Sequence, residues 1–306
     1  MVARSMAWLW LKRLTLAAPC ATAVVLGSTR AEAADPLGAT QPVRPIGGAI
    51  DEPAEAAEHK LSYWADTKPR WFVSGYLEGG AYLKPQLQAG YGQPHWIWVG
   101  VDAYPVVTFA FAGAYAGFRF SLPIFDMKIG ARNSLSFDRS YLTRKPTYEA
   151  NDVDHVHDHG QVRYTTIEGN ISGVVPLPHS YLVASVDAYY LPDVPNGLDM
   201  YEESLRVVAR APWVIGNRVA YAVKLGKNGF IKAGVLGELV LVPKREAVTW
   251  RVGPAAIVNI TDHLDGLIAL SLPVSSTDHL GIFEGSFGVL GVSYAWATGD
   301  EHPRFP

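Results

Sequence analysis

Three short stretches of this 306-residue chain combine residue types that can do chemistry. The first is Asp152-Val153-Asp154-His155-Val156-His157-Asp158-His159, in which acid and imidazole alternate. His155, His157 and His159 are the candidate ligands of a divalent metal, with the aspartates as oxygen donors. No second cluster at fixed spacing completes such a site, and a solvated polar loop accounts for the same composition. The histidines would make the loop's charge respond to pH near 6. The second is Thr-Asp-His-Leu, present at 261–264 and again at 277–280. The run between the copies reads as a strand, which places them at opposite ends of it as strand-capping turns. The third is His179-Ser180, a nucleophile beside a base. Prolines precede it and a strand follows, so it reads as a turn. None of the three supports catalysis, and no cofactor is expected.

A fourth group is spread along the chain. Glu78, Asp102, Asp126, Glu168, Asp187, Glu238 and Glu284 are acidic. Lys128, Arg132, Arg163, Arg206, Arg210, Arg218, Lys224, Lys232 and Arg251 are basic. All sit within runs of alternating character, on the face opposite the apolar residues. Such charges need elements that keep them in one shared interior.

The clearest of these elements is 218–241, RVAYAVKLGKNGFIKAGVLGELVL. Asn228-Gly229 between two alternating runs is a strong hairpin signal. A three-residue loop over Lys227 to Gly229 sets Lys224 opposite Lys232 and Arg218 opposite Glu238. Only that register leaves one wholly apolar face: Val219, Tyr221, Val223, Leu225, Ile231, Ala233, Val235, Gly237, Leu239 and Leu241. A slip of one residue would mix the two sets, so the pattern fixes the pairing.

Composition limits the partners. The net charge is −3 and there is no basic run, so no nucleic-acid partner is expected. Charged residues are 18% and aromatics 11%. The N-terminus reads as a secretory signal: Arg4, Lys12 and Arg13, an apolar core from Leu14 to Gly27, and Ala31-Glu32-Ala33 for cleavage. The mature chain is expected to begin at Ala34, so residues 1–33 are the signal and Cys20, the one cysteine, leaves with it. Residues 34–70, rich in Ala, Pro, Glu and Gly, read as a flexible linker.

From Trp71 on, strand-like runs of roughly 9 to 15 residues follow one another, near the ~9–11 that a tilted membrane-crossing strand needs. They are 72–83, 95–104, 106–121, 124–137, 161–175, 181–191, 203–213, 218–226, 230–242, 248–260, 264–272 and 283–297. No helix-period segment intervenes. Several alternate cleanly, for example Phe125, Met127, Ile129 and Ala131 against Asp126, Lys128, Gly130 and Arg132. Aromatics gather near strand ends: Trp71, Phe72, Trp96, Trp98, Tyr104, Tyr189, Tyr190, Trp213, Trp250, Tyr294 and Trp296. A soluble β-sandwich or lipocalin-like barrel would also alternate, but its core face would not carry mid-strand charges. On this count the loop 138–160 falls at the same end as the termini, against the rule that long loops lie at the far end.

Signal, linker, amphipathic strands and aromatic ends together resemble a Gram-negative outer-membrane β-barrel, porin-like, over residues 71–297, with 298–306 a polar tail. The final strand finishes near Trp296 instead of on a terminal Phe, which departs from many such proteins. The resemblance implies an all-β, antiparallel up-and-down barrel of about twelve strands, in contact with outer-membrane lipid. It implies passive passage of small polar solutes or ions through a lumen lined by the charged set, whose nine basic and seven acidic members favour anions. Two other readings stay open: a closed structural or interaction barrel acting through its loops, and an outer-membrane lipid hydrolase. A conducting pore would show unpaired lumen charges, a structural barrel paired ones, and a hydrolase a Ser/His pair near the outer rim.

Overall fold

The computed structural model describes residues 63–80, 82–137, 141–153, 161–226 and 230–299. Twelve strands close into an antiparallel barrel: β1 (Arg70–Gly80), β2 (Leu83–Gln93), β3 (Ile97–Val107), β4 (Phe111–Leu122), β5 (Phe125–Ser136), β7 (Val162–Leu177), β8 (Ser180–Tyr190), β11 (Trp213–Leu225), β12 (Ile231–Val242), β13 (Ala247–Asn259), β14 (Leu264–Ser276) and β15 (Phe287–Ala297). Each pairs with its neighbours in sequence, and β1 closes on β15 from Ser74↔Ala297 to Gly80↔Gly291. Three short strands, β6 (Leu142–Thr143), β9 (Leu198–Glu202) and β10 (Val207–Ala209), form a separate small sheet. Two one-turn helices, α1 (Ala150–Val153) and α2 (Gly281–Gly285), lie in loops. Among the described residues, no helix is long and apolar enough to cross a membrane.

The β11–β12 hairpin has the expected register, with Arg218↔Glu238 and Lys224↔Lys232. Its turn, 227–229, lies outside the described residues. The barrel is inverted relative to a soluble core. Apolar residues that alternate along each strand point outward and stay exposed, such as Val235 at 54%, Leu290 at 66% and Phe118 at 68%. Charged residues point inward and are sealed, such as Asp126 and Arg251 at 0% and Arg132 at 1%. Folding in water would gain nothing from that exterior, whereas lipid would receive it. Aromatic side chains ring the exterior at both ends. Trp71 and Tyr91 meet at 5.5 Å at one end, and Tyr190 and Trp213 meet at 5.0 Å at the other. Five of the residues expected in these girdles instead point inward or are buried: Phe72, Trp96, Trp98, Tyr104 and Tyr189.

Two strand assignments need correction. Residues 83–93 are a full barrel strand, β2, while 203–213 do not span the wall. The total stays at twelve, but the phase of the connections changes. The loop after β5, residues 137–161, now lies with the connections 191–212 and 277–286 at one end, here the loop end. The short turns β1–β2, β3–β4 and β12–β13 are at that loop end too, while the start of β1, the end of β15 and the connections β2–β3, β4–β5, β7–β8, β11–β12 and β13–β14 share the opposite, turn end.

At the loop end the β9–β10 hairpin folds into the lumen. Met200, Leu205, Val207 and Ala209 pack on the inner wall through Tyr164, Tyr189, Val214, Val240 and Val242. Its other face, Tyr201 and Val208, packs on Leu142, Tyr148, Val153 and Leu280 from the two neighbouring loops. The hairpin is therefore the centre of a loop-end cap with an apolar layer on each side.

Candidate functional site: the lumen and its two ends

The inward faces carry Glu78, Asp102, Asp126, Lys128, Arg132, Glu168, Asp187, Arg218, Lys224, Lys232, Glu238 and Arg251. Four of the expected residues lie elsewhere. Arg163 is exposed on the outward face of β7, where it donates to Asn133 Oδ1 at 3.0 Å. Among the described strands it is the one charged residue on an outward face. Arg163 and Glu168 are an odd number of residues apart, so an unbroken strand must turn them to opposite faces. Arg206 and Arg210 belong to the infolded hairpin and its exit, and Glu284 to α2. Sequence reasoning also missed Lys84, Arg119, Glu202 and Glu203. Lys84 was hidden with its strand, and the two glutamates come inward only because a loop folds back.

Opposite charges in the wall are paired. Lys84 lies 3.3 Å from Glu78 and Arg119 2.9 Å from Asp126. Glu238 is shared by Arg218 at 2.8 Å and Arg251 at 2.6 Å. Gln86 donates to Asp102 and Asn170 to Asp187. Buried ions at this depth require such partners to offset lost hydration. The Tyr104 and Tyr115 rings stack at 4.8 Å, with Lys84 over one ring and Lys128 over the other. Gly117 and Gly130 make room for that stack: a Cβ at either would lie 2.3 or 2.6 Å from the Tyr115 hydroxyl.

On two walls the hairpin is held by a polar seam. Arg132 sits 2.8 Å from Glu168 on the wall and 3.0 Å from Glu202 on the hairpin. The Tyr164 hydroxyl donates to Glu202 at 2.8 Å, and Ser136 donates to Glu203 at 3.0 Å. On the β13 side, Arg251 donates to the carbonyls of Leu205 at 2.8 Å, Arg206 at 2.7 Å and Gly285 at 2.6 Å, besides binding Glu238. One guanidinium thus joins two walls, the hairpin and α2. Its planar array of donors makes that possible where an ammonium could not.

Above the seam a second cluster ties the loops together. Arg210 grips Asp199 through two bonds of 2.7 Å. Arg245 grips Asp278 at 2.8 and 2.6 Å. The Tyr148 hydroxyl donates to Asp199 at 2.7 Å, and burial followed by that bond pushes its phenol up to about 12. A cavity of about 320 Å³ lies beside this cluster, lined by Arg206, Thr249, Ser276, Asp278 and His279 among others. The Ser276 hydroxyl is engaged by Thr249 and by the Asp278 N–H, and no bond joins it to the His279 ring. The two Thr-Asp-His-Leu copies lie at opposite ends, where Thr261 Oγ1 accepts from His263 and Leu264, and Thr277 Oγ1 from Val248. His155, His157 and His159 lie outside the described residues, as do 1–62 and 300–306. Among the described residues, no group of three or more His, Cys, Asp or Glu could hold a metal.

At the turn end a 3-10 turn, Tyr63–Asp66, enters the barrel mouth. Trp64, 1% exposed, packs with Tyr76, Trp96, Ala295 and Ala297, and edge-on to His95 at 4.5 Å and His263 at 5.3 Å. Gln93 fixes its backbone by donating to the carbonyls of Ala65 at 2.8 Å and Thr67 at 2.6 Å.

No protein-family model matches the sequence, and no curated protein matches it. Among solved structures, one of the NanC porin matches with a TM-score of 0.33 and 10% identity, over 74% of this chain and 98% of that one. Nothing about the site is carried over from so distant a likeness. What stands on its own geometry is a closed, twelve-stranded antiparallel β-barrel with an apolar exterior and a charged interior.

Proposed function

We propose that the chain is an outer-membrane barrel that passes small polar solutes or ions and is held closed at rest by its lumen hairpin. The turn end faces the periplasm and the loop end the exterior, with lipid around the apolar belt. The barrel carries out no catalysis. The observation behind this reading is the polar seam. The hairpin packs on apolar residues of β7, β8, β11 and β12 and on Ala247 at the start of β13, but at Arg132 of β5 and Arg251 of β13 it is held by ion pairs and carbonyl bonds. Water can take the place of each seam bond, which involves a charged group, at a net cost of about 1.5–3 kcal/mol, whereas rewetting an apolar layer gains no compensating hydrogen bond. A path would therefore open along the seam.

The experiment is single-channel recording of refolded protein in a planar bilayer, for the wild type and for R132Q/R251Q. Brief, infrequent steps from the wild type and sustained openings from the double variant are expected. Silence from both, with each still migrating as a heat-modifiable folded barrel, would favour the second reading, a closed structural barrel. The paired wall charges are the observation on that side.

A further inference from the structure

The turn-end mouth is asymmetric. On the β1, β2, β3 and β15 side the inward residues are sealed: Phe72, Tyr76, Gln88, Trp98, Ala295 and Ala297 are all buried, and Trp64 fills the space before them. On the opposite side the inward residues Ala220, Ala222, Lys224, Gly234, Ala255 and Ile257 are all partly exposed. β11 and β8 lie about halfway round the ring from β1, across the mouth from Trp64. Further into the barrel Arg218, Leu236 and Glu238 are buried again. Water thus enters a vestibule along β11, β12 and β13 and stops beneath the seam.

Lys224 stands at the lip of that vestibule. Its ammonium lies 4.5 Å from the centre of the Tyr181 ring, which supports it from the next strand. Among the described residues it has no carboxylate partner, unlike Lys84, Arg119, Arg132, Arg218 and Arg251. Lys232, in register with it across the hairpin, also points inward but is buried behind the lip. The acid on the neighbouring β14 wall, Asp265, is buried and accepts from Asn259. An ammonium without a carboxylate partner at a narrow mouth with low-dielectric walls concentrates anions. A compact ammonium attracts by charge without the shape selection of a guanidinium.

We infer that the turn-end mouth is an entrance for small anions, with Lys224 its specificity-determining residue and the Trp64 segment the plug that confines passage to the lysine side. This inference builds on the channel reading but can be tested without current. In full-length C20A protein, Ala222→Cys places the chain's one thiol in the vestibule. Modification rates are compared for two methanethiosulfonate reagents of similar size, one sulfonated and one quaternary ammonium. The sulfonate is expected to react roughly tenfold faster. Adding K224Q should bring the two rates together, and adding W64A should raise both rates while keeping their ratio. A ratio that K224Q leaves unchanged, or a thiol that neither reagent reaches, would overturn the inference. Ala255→Cys on the adjacent β13 wall repeats the test if A222C does not fold. A silent barrel that still shows the Lys224-dependent ratio would refute the channel reading and leave the anion entrance standing.

Discussion

Glu238 holds two guanidinium groups at 2.8 and 2.6 Å in a site where all three residues are buried. Removing one partner of a buried ion pair costs about 3–5 kcal/mol. E238Q strands two cations and should lie at the upper end of that range. R218Q leaves Glu238 with Arg251 and should cost clearly less. Urea unfolding of the refolded protein, followed by its heat-modifiable band, ranks the two variants. Tyr148 gives a pH test. Its folded phenol titrates near 12, above the ordinary 10, so its contribution is complete below pH 10 and is lost as pH rises through 12. The loop-end cap should loosen across that window, seen as proteolysis of the 137–161 loop. Y148F should abolish the step. The pairs Arg218–Glu238 and Lys224–Lys232 were legible because a hairpin register follows from its two faces. The partners of Arg132 and Arg251 on the hairpin were not, because Glu202 and Leu205 are distant in sequence and reach the wall only through the folding of a loop.

β2 and the 203–213 segment show what alternation can and cannot reveal. In β2, Leu83, Pro85, Leu87, Ala89 and Tyr91 face out, and Lys84, Gln86, Gln88, Gly90 and Gly92 face in. The period of two is intact, but Pro85 and two glycines imitate turn residues, and only Lys84 is charged. Pro85 is tolerated although proline lacks an amide donor. Residues 203–213 carry Val207 and Val208 in succession, an apolar density that suits a segment buried on both faces in the cap. Strand direction depends on strand count up to that point, so missing β2 inverted the expected side of the 137–161 loop. The outward face of β12 makes a quantitative claim. Val235 is mid-strand and 54% exposed, so V235R should cost about 2–4 kcal/mol on folding into lipid vesicles. A denaturant titration in vesicles that finds no cost would mean this face does not meet hydrocarbon.

For the whole molecule, the architecture followed from composition and period, while the state of the lumen did not. Twelve strands make a barrel between the filled eight-stranded and the open sixteen-stranded kinds. What fills it is decided by long connections, whose side chains obey no period. Here the β9–β10 hairpin closes the loop end and Trp64 narrows the turn end, leaving a vestibule along β11 to β13. The channel reading and the anion entrance both depend on an apolar wall standing in lipid around a sealed interior. The most direct test is a nitroxide scan of β12 in liposomes, one label at a time from 231 to 242, comparing collisions with oxygen and with a water-soluble nickel complex. The structure predicts high oxygen access at 231, 233, 235, 237, 239 and 241 and low access to both at 236, 238, 240 and 242. Loss of that alternation, or oxygen access at the even positions, would contradict it.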